Sequence, residues 1–229
     1  LVTSAADITL AAVTDTANVA ELELNGENIT LAGVVLDNGG ASLLDVNLDG
    51  ASDDGAKTLA AGGVINVGSL TVDGQNSNDI MNFSNTVTTT VAGITVATAA
   101  TVDFDADVVA ANGISISTVA TDLDLGANVD LTATTGNLTA NSGVTLINLS
   151  GAGSNIIAAS AGDVNLGAVN DSANIAELQV DGEAITLAAV TLDNGGASLL
   201  DVNLDLGANG VGTVLDINGD IAVVSLTVD

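Results

Sequence analysis

The sequence predicts an all-β fold, a parallel β-helix (β-solenoid) of about ten coils of roughly 20–24 residues each. Two periodicities and one compositional bias predict it. Residues 1–73 align without a gap on residues 157–229, an offset of 156, and 42 of the 73 positions are identical. Inside that unit a short alternating segment returns at a constant, shorter interval, as Leu22, Val46, Leu70 and Ile94 show. The apolar content is aliphatic: hydrophobic residues make up 47% of the chain, with two Phe, no Trp or Tyr, and no Pro. Thin coils stacked in layers fit such a core, and an inter-coil ladder tolerates no missing amide.

The chain reads in order as follows. Val19-Ala20-Glu21-Leu22-Glu23-Leu24 is followed at equal intervals by Leu43–Leu48, Val67–Val72 and Val91–Val96. This spacing predicts apolar columns Val19/Leu43/Val67/Val91, Leu22/Val46/Leu70/Ile94 and Leu24/Leu48/Val72/Val96. Glu23/Asn47/Thr71/Thr95 form a polar column between the last two. Positions two apart share one face of a strand, and the extra residue after the first column predicts a bend or bulge. The middle carries shorter segments of the same kind, at Gly113–Ile116, Asp122–Leu125, Gly136–Thr139, Gly143–Leu146 and Asp163–Leu166. The second copy resumes at Ile175–Val180, Leu199–Leu204 and Val223–Val228. One continuous solenoid over residues 1–229 is therefore expected. Frequent Gly and Asn oppose a helical reading. Tandem β-sandwich repeats are the rival fold, but they need longer units and a core aromatic.

Composition excludes several functions. Of 229 residues, 29 are Asp or Glu, and one, Lys57, is basic, for a net charge of −28. One cation cannot neutralise a phosphate backbone, which excludes nucleic acid and anionic membranes as partners. No run reaches the roughly 18 apolar residues of a spanning helix, so no membrane insertion is expected. Without His or Cys there is no zinc site, no disulfide framework and no Ser–His or Cys–His pair. The carboxylates are spread along the chain rather than gathered, and no enzyme is expected. Leu1-Val2-Thr3-Ser4 carries neither an initiator Met nor a signal-peptide pattern, so the chain reads as a mature or excised piece.

The carboxylates are the candidate ligand atoms. Asn25-Gly26, Asp49-Gly50 and Asp73-Gly74 recur at the same short interval, with Asp181-Gly182, Asp205 and Asp229 in the second copy, and Glu21/Asp45 and Glu177/Asp201 stack nearby. On one edge of a solenoid such acids stand about 5 Å apart and repel by roughly 1–3 kcal/mol. Calcium is the one cofactor this spacing suggests, with Asp45, Asp49, Asp53, Asp54, Asp73, Asp181, Asp201 and Asp205 as its candidate ligands. Asp103, Asp105 and Asp107 alternate around Phe104 as a further oxygen-rich stretch. Against this stands the plain reading that Asn-Gly and Asp-Gly are turn residues and the acids are solvated. No EF-hand loop is present. Thr86, Thr88 and Thr90 alternate like an ice-binding array, but Thr-x-Thr does not recur from coil to coil.

The stretch Thr135–Leu146, with Gly-Asn-Leu-Thr at its start, and Ala161-Gly162-Asp163-Val164-Asn165-Leu166 resemble the repeats of filamentous-haemagglutinin-like bacterial surface adhesins. The resemblance implies a right-handed parallel β-helix in a secreted surface fibre. Those adhesins have shorter coils and are less depleted in Lys, Arg and aromatics, and no functional residue carries over. The expected role is a non-enzymatic structural or adhesive module of an extracellular prokaryotic fibre at the cell surface. Its expected partners are copies of itself or adjoining repeats end to end, and surface glycans. The alternative is a calcium-dependent carbohydrate- or ice-binding module.

Overall fold

The computed structural model describes residues 1–37, 41–48, 55–194, 198–204 and 213–229. Among these there is no helix, and 56% of them are strand, wound into a β-solenoid of about nine turns. Each coil is three-sided. The chain lays one short strand on a first face, turns onto a second, turns onto a third, and returns one layer higher. The second coil shows the route: Glu21–Asn25, Ile29–Leu31, then Val34–Val35. Among the described residues ten strands stack on each face, separated by nine steps, which is how ten layers make about nine turns. Every pairing between layers is parallel, for example Glu21–Asn25 with Leu43–Asn47, Thr58–Ala61 with Ile80–Phe83 and Val87–Thr89 with Val108–Ala110.

Strand alternation supplies the core. On the second face Ile8, Ile29, Leu59, Met81, Val102, Leu123, Ile147, Val169, Val190 and Ile221 stand one above another in register. The third face stacks Val13, Val34, Ile65, Val87, Val108, Leu131, Ile157, Val180, Val202 and Val228. Leu24, Val46, Val72, Val96 and Ile116 run up the first. Most of these side chains are sealed from solvent, and each fully buried aliphatic contributes about 1.5–3 kcal/mol. The two rings of the chain share one ladder: Phe83 and Phe104 stack at 4.9 Å with planes 20° apart.

The strands Ile94–Phe104 and Ile114–Leu125 run around the corner between first and second faces, which joins those faces into an 18-stranded sheet beside the ten-stranded third. That corner is turned by left-handed residues in four successive coils: Gln75 (φ 61°), Thr98 (φ 55°), Thr118 (φ 56°) and Gly143 (φ 76°). The layers bond at the same place, with Gly74 N donating to Ala97 O and Thr118 N to Ser142 O. Buried polar groups cap other corners: Asn155 Nδ2 donates to the carbonyls of Gly126 and Val129, and the Asp171 carboxylate accepts from the amides of Asp193 and Asn194.

The regular spacing in the sequence is an average over unequal coils. Leu24 stacks on Val46, Val46 on Val72 and Val72 on Val96, so the first of these coils is shorter than the sequence interval, the second longer, and the third equal to it. Leu22 therefore pairs with Leu44 rather than with Val46. A two-residue slip keeps the same side chains inward because the strand period is two, so the buried set survives the error in register. The expected column Val19/Leu43/Val67/Val91 does not exist. Val67 lies inward on the third face, Leu43 is half-buried on the first, and Val91 is 54% exposed at a corner.

Candidate functional site: acidic and amide ladders on the faces

Side chains that alternate with the core residues point outward and stack just as closely. On the first face Glu23 stands beside Asp45, and Asn25 beside Asn47. Two like charges at an inter-coil distance of about 5 Å repel, and amides intervene. Asn25 Nδ2 donates to Glu23 Oε1 at 2.9 Å, and Asn47 Nδ2 donates to Asn25 Oδ1 at 2.9 Å and Asp45 Oδ1 at 3.5 Å. The third face repeats the device. Gln179 Nε2 reaches both oxygens of Asp181, at 3.0 and 2.7 Å, and Asn203 Nδ2 donates to Asp181 Oδ1 at 2.8 Å.

On the second face Asn82, Asp103, Asp124, Asn148 and Asn170 form one register column. Two carboxylates are adjacent here, and Asp105 and Asp122 lie close enough to add to their repulsion. Burial, then the charges of Asp105, Asp124 and Asp122, push Asp103 up from 3.8 to about 6. Burial also raises Asp124, opposed by hydrogen bonds from Ser150 and Asn148. Asp45 is raised by burial and then by Glu23, and Asp130 by burial. Within this column Asp103 is the group that takes up a proton near pH 6.

The four candidate calcium ligands among the described residues do not share one edge. Asp45 and Asp73 lie on the first face, Asp181 and Asp201 on the third. Asp49, Asp53, Asp54 and Asp205 fall outside the described residues. Asp73 stands opposite Asn47, and Asp45 opposite Glu23 and Thr71. The expected Glu21/Asp45 and Glu177/Asp201 stacks are replaced by Glu21 with Leu43 and Glu177 with Leu199, again through the two-residue slip. The Asp181 carboxylate accepts amide N–H groups from Gln179 and Asn203. Among the described residues no group of three or more carboxylates is gathered to hold a metal ion. Sequence reasoning singled out Asp103 and Asp105 but not Asp122 and Asp124; their separation of one coil length was the available signal.

Lys57 is buried, with Nζ 3.7 Å from Glu27 Oε2, and its amide donates to Asp79 Oδ1 at 2.7 Å. A mostly hydroxyl column also emerges: Thr71, Thr95, Ser115, Thr139 and Thr186, with the amide of Asn165 between the last two, occupy six successive layers of the first face. A second file does not form beside it, since the positions two residues on in the first three of these layers are Asp73, Ala97 and Ser117, of which Ser117 alone bears a hydroxyl. No protein-family model matches the chain, and no curated protein and no solved structure shows significant similarity to it.

Proposed function

We propose that this chain is a structural, adhesive module of an extracellular prokaryotic surface fibre or matrix filament, a rod segment whose work is mechanical. One observation carries the reading: three ladders of ten parallel strands close around a single aliphatic core, so the molecule invests its sequence in axial continuity. Nine steps of about 4.8 Å give a rod of roughly 45 Å. The resemblance to filamentous-haemagglutinin-like adhesins supports the same role and the extracellular setting. The rod grows by coils stacking on coils, either adjoining repeats or further copies, because an open parallel edge pairs with another strand. Burial of Lys57, the sole Lys or Arg, withholds the trypsin site, which suits an exposed fibre.

Electron microscopy of the native material tests this. Filaments of constant, coil-sized width are expected, with trypsin leaving the chain intact until it is unfolded. Short particles of fixed length at every concentration, or rapid cleavage after Lys57 in the folded state, overturn the proposal.

A second reading, a carbohydrate- or ice-binding solenoid, is favoured by the hydroxyl column on the first face. Thermal hysteresis in a freezing assay, or retention on immobilised neutral polysaccharide that is lost in Thr95→Val/Thr139→Val, would support it; neither effect would dispose of it.

A further inference from the structure

The two copies of the repeat lie on different faces. Glu21–Asn25, Leu43–Asn47 and Ser69–Asp73 belong to the first face, yet their copies Glu177–Gly182, Leu199–Leu204 and Ser225–Val228 belong to the third. Ile29–Leu31 and Thr58–Ala61 are on the second face, and their copies Ala184–Leu187 and Val214–Ile217 are on the first. Val13–Thr14 and Val34–Val35 are on the third, and Val169–Asp171 and Val190–Thr191 on the second. The inter-coil register is nevertheless copied residue for residue. Leu24 on Val46 becomes Val180 on Val202, Leu44 on Leu70 becomes Leu200 on Leu226, and Ile29 on Leu59 becomes Ile185 on Leu215.

Counting strand positions explains the shift. Ile94–Phe104 and Ile114–Leu125 each serve two faces, so Glu21–Asn25 is the fourth strand position and its copy the twenty-fourth. The repeat advances by twenty positions, and at three per coil that is six and two-thirds coils. Local sequence therefore fixes which strand stacks on which, and no segment is specific to a face. We infer that the 156-residue unit rotates its outward surface by one face, about 120°, each time it recurs, and displays the same side chains in three directions in turn.

This goes beyond the structural role and does not depend on it. The outward pattern Glu23–Asp45–Thr71 of the first face reappears as Gln179–Asp201–Thr227 on the third. Three successive units would return to the starting face after twenty coils, roughly 95 Å of rise at about 4.8 Å per coil. Such an array cannot present one continuous flat face of a single pattern, which is what a planar crystal or polysaccharide surface requires. It presents the pattern radially.

Spin labels on paired cysteines test the rotation, since the chain has no native Cys. Thr30 lies on the second face, and Thr191 lies above it on the same face seven layers on. Thr186, the repeat counterpart of Thr30, lies on the first face in the layer of Thr191. All three point outward, so T30C/T191C and T30C/T186C leave the core untouched. The rotation predicts a T30C/T191C distance near 34 Å, for seven steps of about 4.8 Å, and a T30C/T186C distance longer by several ångströms. The reverse order means that the copies share a face and overturns the inference. If neither pair gives a narrow distribution in that range, the coil stack itself fails, and the rotation falls with it.

Discussion

Thr98 and Thr118 hold left-handed backbone angles that a β-branched residue adopts only at a cost of about 1–2 kcal/mol, because Cβ crowds the carbonyl oxygen. The same corner one layer on is filled by Gly143, whose added Cβ would meet Thr118 Cα at 3.1 Å. Thr118→Gly should therefore stabilise the fold by about 0.5–1 kcal/mol in chemical denaturation. Gly143→Ala should destabilise it by at least as much. Equal effects of either sign would show that the corner is relaxed. At Asp103 the folded value of about 6 lies above the ordinary 3.8. Between those values the native state holds a proton that the unfolded chain has lost, so stability falls as pH rises through the window. The raised Asp45, Asp124 and Asp130 act in the same direction. Tm should be higher at pH 5 than at pH 7.5, and Asp103→Asn should raise Tm at pH 7.5 while narrowing that difference. A Tm that falls on acidification to pH 5 contradicts this account of the second face.

Strands were the most legible level in the sequence, and their partners were less so. Alternation marks the inward set, and Leu24, Val46, Leu48, Leu70, Val72, Ile94 and Val96 are buried as the pattern requires, with Leu22 half-buried. Which residue stacks on which depends on how many residues each corner consumes. Corners of unequal length left the average spacing intact while shortening the step from Leu24 to Val46 and lengthening that from Val46 to Val72. That slip misplaced the acid stacks, and it hid the pairing of Asp103 with Asp124, whose coils meet across an irregularity between Ala99 and Thr101. The face of each segment was invisible for a related reason: three similar sides offer the sequence no marker of which one it occupies. The core ladders carry the packing energy at this scale. Phe83 sits fully inside against Phe104, and Phe83→Ala should cost about 3–5 kcal/mol, more than truncating an isolated aliphatic of the same ladder. A loss below about 1 kcal/mol would mean that the two rings do not share a layer-to-layer contact.

Across the whole molecule the charge of −28 sets the working conditions. Acids are distributed over all three faces with amides beside them, so long-range repulsion rather than any single contact opposes folding and lateral packing. Raising salt from about 10 mM to 200 mM shortens the screening length from roughly 30 Å to about 7 Å. Tm should rise by several degrees over that range with sodium chloride alone. A rise obtained only with calcium, and reversed by a chelator, would instead assign the acids to a bound divalent cation. The length and acidity of the chain thus describe a rod kept apart from its neighbours at low salt and allowed to approach them when screened.

The stacking of parallel coils around one core is tested most directly by backbone nuclear Overhauser contacts in the uniformly isotope-labelled protein with its Hα protons retained. Contacts between amide protons should link Leu59, Met81, Val102, Leu123 and Ile147 in one unbroken chain, with amide-to-Hα contacts between the same layers. Short Hα-to-Hα contacts between strands, the mark of antiparallel pairing, would contradict the solenoid and the function built on it.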